Sequence, residues 1–217
     1  MIDFFSRRTK KPAIATDSVI FTIIEDKLHV LLIERKNDPF KDKWALPGGF
    51  MEWEESTKQS AARELAEETG LKGVQLEQFG VFDKPGRDPR GTVVSIEFCG
   101  LVRAENVEPK GADDAKIAQW FAMNDLPDLA FDHAEVLKAA LKSMQQKETD
   151  YHWFKPLLPG EFTLAELHKI FTIALGKKLD KRNLLRLIQE QKLLTPVLKT
   201  KKGRGKPAEV YRMIDKN

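Results

Sequence analysis

The chain has 217 residues, of which 41% are hydrophobic and 32% charged, a composition typical of globular proteins that excludes a fibrous or largely disordered chain. Charged residues at 25–27 interrupt the apolar run at 19–34, so no run is long enough for a membrane-spanning helix. The net charge is only +3. Cys99 is a single cysteine and cannot form an intrachain disulfide, and the first residues lack the apolar segment of a secretory signal. These two features predict a reducing, cytoplasmic location.

The first part of the chain predicts a β-rich region that begins with a hairpin. Residues 13–26 and 28–36 are apolar and β-branched, and the charged residues Glu25–Lys27 predict the turn between them. Two further β-rich runs follow at 74–83 and 91–104. The Pro, Gly and Asp residues between these two runs predict a loop.

Two helices are predicted to interrupt the β-rich region. The first begins at Ser56 and ends at Thr69, with Gly70 as its C-terminal stop. The second begins at Asp132, which we place as the N-cap, and ends at Met144. The alternation of strands and helices predicts a mixed α/β sandwich.

The first predicted helix carries three clustered carboxylates. Glu64, Glu67 and Glu68 lie on one stripe about 100° wide, where like charges destabilise a helix unless a cation neutralises them. Hard divalent ions such as Mg²⁺ or Mn²⁺ prefer carboxylate oxygens. Arg63 precedes Glu67 by four residues and can orient either that carboxylate or Glu55. The alternative is an acidic helix face exposed to solvent.

The spacing around these glutamates decides between the two alternatives. The stretch "GFMEWEESTKQSAARELAEETGL", Gly49 to Leu71, matches the Nudix box GX5EX7REUXEEXGU at every fixed position. Over about residues 10–145 the chain therefore resembles the Nudix family. The resemblance implies an α/β/α sandwich with a loop–helix–loop motif, and hydrolysis of a nucleoside diphosphate linked to another moiety.

The resemblance also implies roles for the residues of the box. Glu64, Glu67 and Glu68 would bind Mg²⁺ or Mn²⁺, with backbone from Gly49, and Glu67 or Glu68 would activate water. Glu55 and Arg63 would support the site. In several Nudix enzymes the base lies outside the box, and three other carboxylates are candidates here: Glu97, Asp113 and Asp114.

The loop at 84–91 indicates the substrate class. Its sequence, with Pro85 following the box, resembles the corresponding segment of ADP-ribose pyrophosphatases. Arg87 and Arg90 can form bidentate contacts with phosphate or ribose oxygens, and Asp88 can hold an arginine or accept from a ribose hydroxyl. Arg35 is a further candidate for ligand binding. The alternative is a Pro-Gly turn with arginines facing solvent. Trp44, outside the loop, is predicted to pack rather than to stack on a base.

A second module is predicted after a boundary at 145–160, where periodicity is lost and Pro and Gly appear. We divide the chain into a Nudix domain, 1–150, and a winged helix domain, 151–217. Residues 157–217 carry 14 Lys and Arg against 6 Asp and Glu, a balance of +8, so an acidic body precedes a basic module.

The basic module has the layout of a winged helix-turn-helix. Two amphipathic helices, the second with Asp180 as N-cap, precede two short strands around a glycine-rich basic turn. The predicted DNA-binding residues are Lys181, Arg182, Asn183 and Arg186 of the second helix and Lys199, Lys201, Lys202, Arg204 and Lys206 of the wing. The alternative is a small dimerisation or lid domain.

The order "FTLAELHKIF…LDKRNLLRLI…GKPAEVYRM" resembles the C-terminal domain of Nudix-related transcriptional regulators. That resemblance implies a homodimer that binds double-stranded operator DNA, senses ADP-ribose or a related nucleotide and controls NAD or sugar metabolism. The chain departs from many such regulators because its Nudix box is intact. The remaining alternative is therefore an active Mg²⁺-dependent ADP-ribose pyrophosphatase whose basic domain is not used in transcription.

Overall fold

The computed structural model describes residues 11–104, 115–201 and 207–215. Within these residues, seven strands form one mixed sheet. They are β1 (Ala13–Ile24), β2 (Lys27–Arg35), β3 (Trp44–Ala45), β4 (Gly48–Phe50), β5 (Glu77–Phe82), β6 (Val93–Leu101) and β7 (Ala115–Ala122). The sheet order is β3-β2-β1-β6-β5, with β4 also paired to β1 and β7 to β2.

The predicted hairpin is confirmed. β1 and β2 pair antiparallel, and the turn residues Glu25 and Asp26 both have positive φ angles, 47° and 62°. β1 also pairs in parallel with β6, which places Asp17 opposite Glu97. The strands β3, β4 and β7 were not predicted, and two of them are only two and three residues long.

Helices cover both faces of the sheet because successive strand residues point to opposite sides. Ile20 of β1 packs in the cluster that contains Ala61 and Leu65 of α1 (Thr57–Thr69). Its neighbours Val19 and Phe21 pack in the cluster that also contains the buried face of α2 (His133–Gln146). The α/β/α sandwich implied by the resemblance is therefore present.

Capping residues fix the ends of α1. Ser56 accepts from the Gln59 amide in a capping box, and Gly70 ends the helix with a φ of 77°. The N-cap residue of α2 is the predicted one, although its side chain does not cap the helix. Asp132 occupies the N-cap position, but within the described residues its side chain makes no capping hydrogen bond and instead binds Arg87.

The C-terminal module has the predicted layout. It consists of β8 (Phe162–Thr163), α3 (Leu164–Leu175), α4 (Lys181–Glu190), β9 (Leu194–Lys201) and β10 (Ala208–Met213). Its three strands pair in the order β8-β10-β9, and β8 was not predicted. Asp180 caps α4 as predicted, since its carboxylate accepts from the Asn183 amide at 2.6 Å.

The segment around the predicted domain boundary is packed rather than exposed. Tyr151 and Phe154 are buried, and both contact Phe171 of α3, with ring centroids 5.6 and 5.0 Å apart. All three residues share one hydrophobic cluster with Phe21 of the seven-stranded sheet. The core of the winged helix is therefore continuous with one face of the sheet. No described helix has the length and apolar character needed to cross a membrane.

Candidate functional site

A pocket of about 270 Å³ opens where β1, β4 and α1 meet the start of α2. Its lining includes Asp17, Arg35, Gly48, Gly49, Phe50, Glu64, Glu68, Arg87, Asp88, Arg90, Phe131 and His133. The pocket thus brings the predicted ligand-binding residues together with two carboxylates of the Nudix box. Glu55, Arg63 and Glu67 do not line it.

The two carboxylates that line the pocket have perturbed environments. Glu68 is buried at 5% exposure and accepts from the Gly48 amide at 2.8 Å. Burial raises the pKa of Glu68 to about 8, although that hydrogen bond opposes the shift. Burial likewise raises the pKa of Glu64 despite its ion pair with Arg63. Both groups therefore favour an external cation that would stabilise their charged forms.

Arg63 contacts three of the carboxylates of the box. Its guanidinium contacts Glu55 at 2.8 Å, Glu64 at 2.8 Å and Glu67 at 3.1 Å, and it also donates to the Phe50 carbonyl. The hydrogen bond from Arg63 lowers the pKa of Glu55 to about 2. The predicted contacts of Arg63 with Glu55 and Glu67 are therefore present, and Glu55 is held as a permanent anion.

The donor set suits a hard divalent ion in its chemistry. Glu64 and Glu68 offer carboxylate oxygens on the pocket, and a Cβ at position 49 would displace the Glu64 carboxylate from its present position. Within the described residues, however, no three His, Cys, Asp or Glu side chains gather as a metal site. Arg63 forms ion pairs with Glu64 and Glu67 instead. The roles of Glu64, Glu67, Glu68 and Gly49 as metal ligands therefore stay predictions.

Arg87 lines the pocket, so its role in ligand binding stays a prediction, but another side chain occupies its guanidinium. Its fork binds both oxygens of Asp132, at 2.9 and 2.7 Å, and its side chain is only 5% exposed. The Glu97 carboxylate lies 3.7 Å away. Burial lowers the pKa of Arg87, but the Asp132 bonds and nearby carboxylates raise it further, so the net shift is upward. The fork is therefore used inside the protein.

Glu97 is a poor candidate for the general base. It is fully buried and does not line the pocket, and its oxygens have no hydrogen-bond partner among the described residues. Burial and the neighbouring Asp17 raise the pKa of Glu97 to about 9, so it is protonated at neutral pH. The other two candidates, Asp113 and Asp114, lie outside the described residues.

Asp88 and Arg90 form the other charged pair of the loop. Asp88 is buried and holds the guanidinium of Arg90, with a shortest contact of 2.7 Å. The prediction that Asp88 can hold an arginine is thus confirmed. Arg35 lies 4.9 Å from the Phe131 ring and donates to the Pro39 carbonyl.

Trp44 lies at the end of the sheet, outside the pocket lining. Its ring makes an edge contact with Phe121 at 4.5 Å, so the predicted packing is present.

The second helix of the C-terminal module presents a polar face. Leu184 and Ile188 of α4 are buried, while Lys181, Arg182, Asn183 and Arg186 are exposed. Arg186 is engaged within its own helix, by Glu190 and Asn183, both at 2.9 Å. In the wing, Lys201 pairs with Glu166 at 2.5 Å. The side chain of Lys199 and residues Lys202, Arg204 and Lys206 lie outside the described part of the chain.

Comparison with known families accounts for both modules. The NUDIX domain matches residues 15–140, and the NrtR DNA-binding winged helix domain matches residues 155–213. The chain belongs to the family of Nudix-related transcriptional regulators. The predicted resemblance and fold class are therefore confirmed.

Two curated relatives of this regulator carry different names. The ADPR responsive transcriptional repressor NtrR of Acinetobacter baylyi is 32% identical over 93% of the chain and 82% of its own length. The ADP-ribose pyrophosphatase of Methanocaldococcus jannaschii is 47% identical over 127 residues, which are 58% of the chain and 72% of that protein.

Solved structures are similar either over nearly the whole chain or over the NUDIX domain alone. Shewanella oneidensis NrtR complexed with a 27mer DNA is 30% identical, with a TM-score of 0.80 and 93% of each chain covered. The NUDIX domain of the same protein complexed with ADP ribose is 30% identical, with a TM-score of 0.59, over 64% of this chain and 93% of that one.

The pocket residues that sequence reasoning missed include Asp17, Phe50, Phe131 and His133. Asp17 accepts from Ser95 at 2.6 Å and is the one charged residue of β1, a signal that was available in the sequence. His133 is buried, which lowers its pKa, and its Nδ1 accepts from the Leu46 amide at 2.9 Å, so the ring is neutral. No local pattern marks Phe50, Phe131 or His133, because the pocket is assembled from distant segments.

Proposed function

We propose that this protein is a transcriptional regulator whose Nudix domain binds ADP-ribose or a close relative, and whose winged helix binds operator DNA in response. One observation carries the proposal. A single pocket joins the carboxylates Glu64 and Glu68 to the cations Arg35 and Arg90, in a chain that also has a winged helix with an exposed polar face. A diphosphate needs both a metal-binding side and a cationic side.

The ligand contacts divide into direct and indirect ones. Arg35 and Arg90 line the pocket and would offer guanidinium groups to a pyrophosphate, Arg90 once it separates from Asp88, which would then accept from a ribose hydroxyl. Arg87 acts indirectly in this proposal, because Asp132 occupies its fork. The relatives named above, one of them complexed with ADP ribose, support ADP-ribose as the nucleotide.

A divalent ion completes the anionic side of the pocket. Nudix hydrolases generally use such ions, and we propose Mg²⁺ or Mn²⁺ held by Glu64 and Glu68, by Glu67 once it separates from Arg63, and by backbone of Gly49. When bound, the ion would neutralise phosphate charge and lower the pKa of a coordinated water. Glu55 and Arg63 would hold the carboxylates in place through their ion pairs.

The DNA-binding part of the proposal rests on α4 and the wing. Lys181, Arg182 and Asn183 would enter the major groove, and the wing lysines and arginines would contact phosphates. Arg186 could take part only if it left Glu190. We propose a homodimer because operators of such proteins are commonly palindromic, and cytoplasmic action because operator DNA is there. The division at residue 150 is likewise proposed, supported by family matches that end at 140 and resume at 155.

Hydrolysis of the ligand is a second candidate activity. It is favoured by the complete Nudix box and by the 47% identity to a pyrophosphatase. Glu67 or Glu68 would then activate water. Because the pKa of Glu68 is raised to about 8 without a metal, Glu68 would need the bound cation to act as a base at neutral pH.

A gel-shift assay on DNA upstream of the protein's own gene tests the proposal. We expect specific binding that changes when ADP-ribose is added and does not change with ribose 5-phosphate. Binding that ignores ADP-ribose would contradict ligand response. Failure to bind any upstream DNA, together with release of AMP from ADP-ribose, would favour the pyrophosphatase with an accessory domain.

A further inference from the structure

One leucine of the winged helix faces solvent completely. Leu198 of β9 has a relative exposure of 105%, whereas its neighbour Val197 is half-buried. Single apolar side chains are common on protein surfaces, so exposure alone assigns no role to Leu198. Its backbone setting and the charge around it carry the argument further.

An irregularity in the pairing of β9 leaves Leu198 unshielded. Val197 pairs with Val210 of β10. Thr200 then pairs with Glu209, the adjacent residue of β10, so two extra residues of β9 lie between these pairs, and Leu198 is one of them. Bulges of this kind bend a strand and redirect its side chains. Within the described part of this hairpin, Leu198 therefore has no cross-strand partner.

Protection of the sheet edge does not account for a leucine at this position. β9 is the outer strand of the sheet β8-β10-β9, and a bulge or a proline such as Pro196 keeps an exposed edge from pairing with another chain. A charged residue would serve that purpose better than Leu198, because an exposed apolar side chain on an edge favours association. The leucine is therefore explained better by a partner that covers it.

The charge of the module favours DNA as that partner. Residues 157–217 have a balance of +8, and β9 begins at Leu194, soon after α4 ends at Glu190, and leads into the basic wing. Proteins that bind the minor groove combine these two chemistries. Their Lys and Arg side chains hold the backbone, while an apolar side chain enters between two base pairs and bends the duplex.

We propose that Leu198 wedges into a base step of the minor groove beside the major groove that α4 enters, and that it bends the operator there. The inference rests on the proposed DNA binding. It adds an apolar contact that selects for deformable DNA, because pyrimidine–purine steps unstack more easily than A-tracts. Leu198 is thus a determinant of operator choice that forms no hydrogen bond with a base.

The test compares Leu198→Ala with wild type in the full-length protein. Salt titrations measure operator affinity, and energy transfer between dyes at the two ends of the operator measures its bend. We expect the variant to lose roughly 5- to 50-fold in operator affinity, the range for partial burial of one leucine, and to bend the operator less. Its salt slope should stay unchanged, because a leucine neutralises no phosphate. Leu198→Met should restore both affinity and bend.

Two controls separate a wedge from a general surface effect. Ile214→Ala removes another exposed apolar side chain of the module, 42% exposed and directly after β10, and should change neither affinity nor bend. In the DNA, each pyrimidine–purine step of the half-sites is replaced in turn by a stiff A-tract step. At the step that Leu198 enters, this replacement should weaken wild type more than Leu198→Ala.

Three outcomes would overturn the inference. They are a bend in Leu198→Ala equal to that of wild type, a loss of affinity in wild type and variant that is the same at every replaced step, and an altered oligomeric state of the variant in sedimentation without DNA. The last would place Leu198 against a second protein chain. Wild-type protein that binds no upstream DNA would instead refute the proposed DNA binding, and the inference with it.

Discussion

Replacing Arg87 by methionine removes a buried charge while keeping much of the side-chain volume. The Arg87 side chain is 5% exposed and that of its partner Asp132 is 13% exposed, so water screens this ion pair little. Its second neighbour, Glu97, has a pKa raised to about 9 and is uncharged at neutral pH. The variant therefore leaves one buried carboxylate, Asp132, without compensation.

The expected loss of stability follows from this one uncompensated carboxylate. Removing one partner of a buried ion pair costs about 3–5 kcal/mol, and Asp132 is near enough to the surface for us to expect about 3 kcal/mol for Arg87→Met. Urea unfolding at pH 7 measures the change in the free energy of unfolding. Lys84→Met is the control. It removes an exposed basic side chain from the same loop, and it should cost less than about 1 kcal/mol.

A double variant tests the reason for the effect. Arg87→Met combined with Asp132→Asn removes the stranded charge, so it should be more stable than Arg87→Met alone. A loss below about 1 kcal/mol in Arg87→Met, or a double variant no more stable than the single one, would refute a structural role for the pair. Arg87 would then be available to the ligand, as the sequence predicted.

Three further predictions concern catalysis, pH and DNA. Glu68→Gln should abolish the release of AMP from ADP-ribose with Mg²⁺ or Mn²⁺ while preserving the fold, and wild-type protein that releases none has a Nudix domain that only senses. Because the folded-state pKa of Glu97 is raised to about 9, ionisation destabilises the fold progressively as pH rises from about 5 to 9. Glu97→Gln should remove this pH dependence. The free energy of unfolding of the variant relative to wild type, measured in urea, should rise by about 2 kcal/mol or more between pH 5 and pH 8. An unchanged pH dependence in the variant would contradict the raised pKa of Glu97. Arg182→Ala should weaken operator binding by about 1–3 kcal/mol and relax its sequence choice, whereas Lys201→Ala should weaken binding to all DNA equally and make the salt slope shallower by about one. Salt titrations on operator and random DNA separate the two, and identical behaviour of both variants would count against these roles.

The sequence predicted local features well because local chemistry determines them. The box spacing identified α1 and its carboxylates, and charged residues located the β1–β2 turn. The pattern T-x-x-E at Thr163 and Glu166 is typical of the capping box that begins α3, but this capping box was not predicted.

Contacts between distant segments could not be predicted in this way. Arg87 and Asp132 are 45 positions apart, and each has a plausible local role, one as a ligand fork and the other as a helix cap. Only the fold decides that they satisfy each other. The short strands β3 and β4 could not be predicted for the same reason. Pairing with β2 and β1 defines them, rather than the β propensity of their own residues.

The position of α2 relates the two modules to each other. Phe131 and His133 at its start border the pocket, while Val136, Ala140 and Met144 along its length lie in the cluster that includes the buried residues of α3 and α4. Close-packed cores transmit displacements because they have few voids to absorb them. The packing of α2 therefore connects the pocket to the support of the winged helix. The charge pair of Arg87 and Asp132, at the first turn of that helix, lies where the pocket and the shared core meet.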